Sequence, residues 1–158
     1  MRIALVGYGK MGKHIETKAK KAGHDIVARI DSTNTNDLKS LSAVDVAIEF
    51  TAPDSAVDNY VTLFERGIPV VTGTTGWYDR FDEVADAARN MGVPFFFATN
   101  FSIGVHIALA ANAYLAKLME KNGDYACHID EWHHTAKRDA PSGTAITFAE
   151  RTIESNSR

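Results

Sequence analysis

Short apolar runs alternate with amphipathic stretches from Arg2 to Phe101. The runs at residues 2–6, 24–30, 43–50, 68–72 and 93–98 read as strands of a parallel sheet, the first of them apolar enough to be covered on both faces. Between them, apolar positions fall at helical spacing. One helix-like segment follows Gly12 and ends before Gly23. A second begins after Pro53, carries Val57, Tyr60, Val61 and Phe64 at i, i+3, i+4 and i+7, and stops at Gly67. A third turns Phe81, Val84, Ala85 and Ala88 inward and is closed by Gly92. Residues 32–42 are polar and leave room only for a loop or a single turn around residues 37–41. Pro94 has no N–H to give a ladder, which places the fifth run at a sheet edge or a strand start. Strand and helix in alternation predict a doubly wound parallel sheet.

Beyond Phe101 the pattern changes. Ser102 is placed to cap a helix reaching Glu120, with Ile107, Ala110, Ala111, Tyr114, Leu115 and Leu118 on one face. Residues 125–132 alternate, with Tyr125, Cys127, Ile129 and Glu131 on one side, and so predict a strand. A polar turn follows over residues 139–143, where Pro141 fixes its own φ and pushes Ala140 out of the helical region. Ser142 then reads as the cap of a last helix running toward Ile153, and residues 155–158 are expected to fray.

Composition narrows the class. The chain has 158 residues, 45% of them hydrophobic and 23% charged, which suits a soluble globular protein with one domain and part of another. A net charge of −3 gives no electrostatic reason to expect nucleic acid. No apolar run approaches the roughly 18 residues that span a membrane, and the N-terminus has no signal-peptide pattern. Cys127 is the single cysteine, so no internal disulfide framework exists. A cytoplasmic enzyme is the expectation.

The first strand runs directly into Gly7-Tyr8-Gly9-Lys10-Met11-Gly12, a complete G-x-G-x-x-G that opens a helix. In that context the first glycine permits a tight turn, the second lets the backbone approach a pyrophosphate, and the third lets helix and strand pack closely. Gly7, Gly9, Lys10, Met11 and Gly12 are therefore candidate cofactor contacts; the plainer alternative is a glycine turn without a ligand. Asp31 lies about 20 residues beyond the loop, where a carboxylate binds the adenosine ribose hydroxyls of NAD. It is followed by Ser32 rather than Arg, which favours NADH over NADPH, with Lys10 as a countering charge. The alternative for Asp31 is a strand-end turn residue. Gly73-Thr74-Thr75-Gly76 and the segment from Thr99 also follow strands, where ligands bind in open α/β sheets.

The densest polar chemistry lies in residues 131–145, E-W-H-H-T-A-K-R-D-A-P-S-G-T-A. A helix start at Ser142 offers N–H groups and partial positive charge to a carboxylate or phosphate. His133, His134 and Lys137 stand just upstream, so an anionic ligand with a proton donor beside it is the chemical reading; a polar loop with a helix cap is the alternative. A metal site is not expected, because no His pair sits at i, i+4 on a helix and no C-x-x-C occurs.

Residues 131–145 resemble the signature of the 4-hydroxy-tetrahydrodipicolinate reductase (dihydrodipicolinate reductase) family: Glu131, His133, His134, Lys137, Asp139 and Pro141 to Ala145 all match. The segment around Phe50-Thr51-Ala52-Pro53, the G-T-T-G loop and Thr99-Asn100-Phe101-Ser102 resemble the same family. The resemblance implies hydride transfer from NAD(P)H to 4-hydroxy-tetrahydrodipicolinate, or its dehydrated form, giving tetrahydrodipicolinate in lysine and diaminopimelate biosynthesis. It implies that Phe50, Thr51, Gly73, Thr74, Thr75, Thr99, Asn100 and Phe101 border the cofactor. It implies His133 as the acid, Lys137 as a second catalytic group, and His134, Ser142, Gly143 and Thr144 as contacts of a small cyclic dicarboxylate. Expected domains are 1–101 for the dinucleotide and 102–158 for the start of an incomplete α+β substrate domain. Family chains continue for roughly another hundred residues and form homotetramers through that second sheet. A fragment or truncated gene product is therefore the expectation, and it is not expected to form that tetramer in full. Rival readings are another NAD(P)-dependent reductase on the same scaffold and a dinucleotide-binding module without turnover.

Overall fold

A computed structural model describes residues 1–133, 135 and 140–156. The chain forms two compact units, Met1–Ala98 and Thr99–Arg158.

In the first unit, strands β1 (Arg2–Val6), β2 (Asp25–Ile30), β3 (Val46–Glu49), β4 (Val70–Thr72) and β5 (Phe95–Phe97) alternate with helices α1 (Lys10–Lys21), α2 (Pro53–Glu65) and α3 (Phe81–Met91). A 3₁₀ turn at Thr35–Ser40 takes the place of a crossover helix, as the short polar segment predicts. All strand pairs are parallel, in the order β2-β1-β3-β4-β5. The expected doubly wound sheet is therefore present, with β5 on its edge.

Several strands are shorter than their apolar runs. Ile68 and Val93 are buried but precede their strands. Each is followed by a proline that joins the sheet only through its carbonyl: Pro69 O accepts from Ala47 N, and Pro94 O accepts from Val70 N.

The main core lies between one sheet face and α2 and α3, with Tyr60, Phe64, Leu63, Val57, Trp77 and Val84 almost completely buried. The ring of Trp77 meets Tyr60 edge-on at 5.3 Å and Phe95 at 5.8 Å. A smaller core of Ile3, Leu5 and Ala19 seats α1 on the opposite face. One inward assignment on α3 is corrected. Val84 and Ala88 are buried, whereas Phe81 is exposed at the helix start, stacked on Trp77.

The second unit contains α4 (Ile103–Met119) and α5 (Gly143–Glu154). Ser102 caps α4 by accepting from Val105 N, and Ser142 caps α5 by accepting from Ala145 N, as expected. One expectation fails. Residues 125–132 form no strand, because no neighbouring strand in this unit is present among the described residues to take their backbone hydrogen bonds. The α4 face that carries Ile107, Ala110, Ala111, Tyr114, Leu115 and Leu118 is exposed, with Ile107 at 65% and Tyr114 at 66%. Helix α4 is apolar nearly all round, so its spacing does not single out one face. The face it does use carries Asn112, whose Nδ2 donates to Thr152 Oγ1 of α5 at 2.8 Å.

Candidate functional site

Sheet register decides what meets at the carboxyl edge. Ile30, Val6, Glu49, Thr72 and Phe97 stand in one row across the five strands. Asp31, Gly7, Phe50 and Gly73 are the residues immediately after four of them. The connections from β1 to β2 and from β2 to β3 lead to opposite sides of β1, so the crevice between β1 and β3 is a topological switch point.

Gly7 has φ +94°, and a Cβ there would overlap the Phe50 carbonyl oxygen. A Cβ on Gly12 would overlap the Gly7 carbonyl. Gly9 is different: nothing lies within 4 Å of where its Cβ would be. Helix α1 starts at this open point with no side-chain cap and no acidic residue in its first turn. Backbone N–H groups facing open space without a side chain in the way fit an anionic pyrophosphate.

The loop is tied down by contacts the sequence reading did not find. The Tyr8 hydroxyl donates to Glu16, which also receives Arg29 Nε at 3.0 Å and pairs with Lys20 at 2.6 Å. Arg29, then Lys20, then Tyr8 hold the Glu16 carboxyl far below the usual carboxylate range. Asp31 Oδ1 accepts from the Thr33 hydroxyl at 2.6 Å and from Thr33 N at 2.8 Å. Those two donors lower its pKa, so an exposed anionic carboxylate ends β2.

Phe50 is wedged between two glycines, with its carbonyl against Gly7 and its ring where a Cβ on Gly73 would be. Thr51 N donates to Thr74 Oγ1 at 2.8 Å. The buried Trp77 indole donates to Thr74 O at 2.8 Å and pins the G-T-T-G loop from the core side. Beneath this loop pair lies Glu49, wholly buried and also unanticipated. It accepts from the hydroxyls of Thr51, Thr72 (2.5 Å) and Thr74 (2.9 Å). Burial, and then the Glu49 charge, push the Tyr60 phenol above its usual range.

In the second unit, Glu131 joins two of the candidates. Its Oε1 accepts from Ser142 N at 2.8 Å, and its Oε2 accepts from Ser142 Oγ at 2.5 Å and meets His133 Nε2 at 3.0 Å. The Ser142 hydroxyl, its N–H and then His133 lower the Glu131 pKa. An ionised carboxylate only accepts, so Nε2 carries the proton of this bond and Nδ1 is left to exchange a proton with a ligand. Asn100 Nδ2 reaches Thr144 Oγ1 at 3.5 Å, and Thr99 lies 3.9 Å from where a Cβ on Gly143 would be. Ser142, Gly143, Thr144, Thr99, Asn100, Glu131 and His133 thus gather at the start of α5. Phe101 is exposed beside this group in sequence. His134 and Lys137 lie outside the described residues. Glu131 was visible in the motif but carried no site assignment. Its spacing of two residues from His133 was the available signal.

The glycine loop, the switch-point crevice and the parallel sheet define a Rossmann-type fold with the features of a dinucleotide-binding domain. A family described as dihydrodipicolinate reductase, N-terminus, matches residues 1–101, and dihydrodipicolinate reductase, C-terminus, matches residues 104–158. The chain belongs to the dihydrodipicolinate reductase family. It is 42% identical over 158 residues to the 4-hydroxy-tetrahydrodipicolinate reductase of Christiangramia forsetii, covering 100% of this chain and 66% of that protein. Against the enzyme of that name from Bifidobacterium longum subsp. infantis it is 34% identical over 156 residues, covering 94% of this chain and 60% of the relative. The chain thus spans less than two thirds of the length of these relatives. Its fold matches a dipicolinate-bound dihydrodipicolinate reductase from Paenisporosarcina sp. TG-14 with a TM-score of 0.64 at 24% identity, over 99% of this chain and 66% of that one. It also matches an NAD-binding protein from Listeria innocua with a TM-score of 0.55 at 17% identity, over 77% and 40%. Among the described residues no helix is long and apolar enough to cross a membrane.

Proposed function

We propose that this chain carries the dinucleotide site and part of the substrate site of a cytoplasmic NAD(P)H-dependent 4-hydroxy-tetrahydrodipicolinate reductase. Residues 1–101 form the dinucleotide domain and 102–158 the start of the substrate domain. The observation that carries the reading is the open helix start at Gly9, flanked along one sheet edge by Asp31, Phe50-Thr51 and Gly73-Thr74-Thr75.

A nicotinamide cofactor, when bound, supplies the hydride. Gly7, Gly9 and Gly12 with the N–H groups of Lys10 and Met11 hold its pyrophosphate. Asp31 accepts from the adenosine ribose hydroxyls, and its anionic charge repels a 2′-phosphate, so NADH is favoured. Phe50, Thr51, Gly73, Thr74, Thr75, Thr99, Asn100 and Phe101 border the nicotinamide end. Adding hydride to a conjugated imine leaves electron density to be protonated, and His133, held at Nε2 by Glu131, is the donor through Nδ1. The N–H groups of Gly143 and Thr144, with the Thr144 hydroxyl, receive one ring carboxylate, and Ser142, whose hydroxyl proton goes to Glu131, borders it. His134 contacts the other carboxylate, and Lys137 stabilises the developing charge.

The test is a titration of NADH into the chain followed by 2,6-pyridinedicarboxylate, a planar mimic of the ring. Binding of the dicarboxylate only after NADH is the expected result; failure of NADH to bind would overturn the reading. Where turnover is measurable, His133→Ala should lower it by about 10²-fold while leaving NADH affinity nearly unchanged. A second reading, dinucleotide binding without turnover, draws on the exposed apolar face of α4. It expects NADH to bind and the dicarboxylate not to.

A further inference from the structure

Glu49 is a buried carboxylate for which the reductase reading has no use. Its side chain is wholly buried at the end of β3, and no Lys, Arg or His pairs with it among the described residues. Burying a carboxylate without a counter-charge is costly, and an apolar residue would serve the core better. The compensation is entirely in hydroxyl donors, whose directions can be worked out. A threonine hydroxyl has one proton. That of Thr72 goes to Glu49 Oε2, so Thr72 Oγ1 accepts from the Tyr60 hydroxyl at 2.9 Å and from Thr74 N at 3.0 Å. That of Thr74 also goes to Oε2, so Thr74 Oγ1 accepts from Thr51 N. That of Thr51 goes to Oε1, while Thr51 Oγ1 accepts from Asn59 Nδ2 at 3.4 Å.

The three threonine hydroxyl protons therefore point to one carboxyl group. The cluster ties the loop after β3, through Thr51, to the loop after β4, through Thr74. Phe50 lies between them, pressed against Gly7 on one side and Gly73 on the other. The spacing of these loops is set from below by a single buried carboxyl group.

We propose that Glu49 is a positioning residue: through Thr51 and Thr74 it holds the loops after β3 and β4 in the geometry that receives the nicotinamide half of the dinucleotide, without touching the cofactor itself. The inference rests on the reductase reading for which half of the cofactor lies there. The adenosine half is assigned to the glycine loop and Asp31, which make no hydrogen bond to this cluster among the described residues.

The experiment compares two ligands by calorimetry on the whole chain: NADH, and ADP-ribose, which lacks the nicotinamide. Glu49→Gln keeps the shape but turns an acceptor oxygen into a donor NH₂. It is expected to weaken NADH about tenfold and ADP-ribose by less than about threefold, the loss typical of hydrogen bonds to a charged group. Thr72→Val removes one donor to Glu49 and is expected to repeat the selective loss, while Thr72→Ser, which keeps the hydroxyl, restores NADH binding. The Thr72 pair decides the matter if Glu49→Gln does not fold. Equal weakening of both ligands would mean a purely structural role and would overturn the proposal, as would unchanged NADH binding. If the unaltered chain binds ADP-ribose and NADH with equal affinity, the nicotinamide half makes no contact worth positioning and the proposal is likewise overturned. If it binds neither ligand, the reductase reading itself fails and takes the proposal with it.

Discussion

The two units of this chain solve the burial problem differently. In the first, two helices cover one sheet face and a third seats on the other, and nearly every buried apolar residue belongs to this unit. Among the described residues of the second, only Leu109 and Ala116 join the buried apolar set, while Ile103, Ile107, Tyr114, Leu115, Leu118, Trp132 and Ile153 are each more than half exposed. The first unit positions its candidate site from within a packed core: Phe50 between two glycines, and the buried Trp77 and Glu49 hydrogen-bonded beneath the loops. The second positions its candidate site by polar links, Glu131 to Ser142 and His133, and Asn100 to Thr144. Packed positions tolerate little change, whereas a hydrogen-bonded cap can be altered with local consequences.

Paired substitutions test that contrast. The largest effect is expected from the two tryptophans. Trp77→Ala in the first core should cost about 3–5 kcal/mol in denaturant unfolding. Trp132→Ala, at a residue 85% exposed, should fall within about 0.5 kcal/mol. A comparable loss at Trp132 would show that the second unit has a packed core of its own. A middle-sized effect is expected at the glycines. Gly7→Ala meets both a left-handed φ and the Phe50 carbonyl, and should cost about 1–3 kcal/mol or more. Gly143→Ala places its Cβ in ordinary contact with Thr99, so the unfolding free energy should move by no more than about 0.5 kcal/mol.

The smallest effect concerns acid. Glu131 and Glu16 both have folded pKa values below their unfolded ones. Each contribution is therefore complete above the unfolded value of about 4.3 and is lost as pH falls through the lower folded value. Glu16, with three donors that include two cations, is held further down than Glu131. On acidification the start of α5 should loosen before the Tyr8–Glu16–Arg29 clamp does. Amide exchange at Ala145 and at Tyr8 followed against pH would detect it, and the reverse order would contradict the contrast between the units.

Much of the first unit was legible because its signals are local. Apolar runs bounded by glycines marked the strands, Gly67 and Gly92 marked helix ends, and the G-x-G-x-x-G named its own turn. Ser102 and Ser142 were legible as caps for the same reason, since a cap bonds within three residues of itself. What escaped was non-local. Glu49 looks like an ordinary strand-end carboxylate until register places Thr72 beside it and the next loop brings Thr74 above it, 23 and 25 residues away. Glu16 reads as an exposed helix residue until β2 delivers Arg29. Residues 125–132 alternate as a strand would, but a strand exists only with a neighbour, and none is supplied among the described residues of that unit.

The amino-acid sequence by itself determined the order of elements, the parallel architecture, the glycine loop and the family signature, because helix period, strand runs and turn chemistry act over a few residues. Tertiary structure alone decided which face of α4 is used, that Glu49 is buried among three hydroxyls, and that Glu131 bridges His133 to the cap of α5. These depend on how segments far apart in the chain are set side by side, and burial converts an ordinary polar residue into a constrained one only after that has happened.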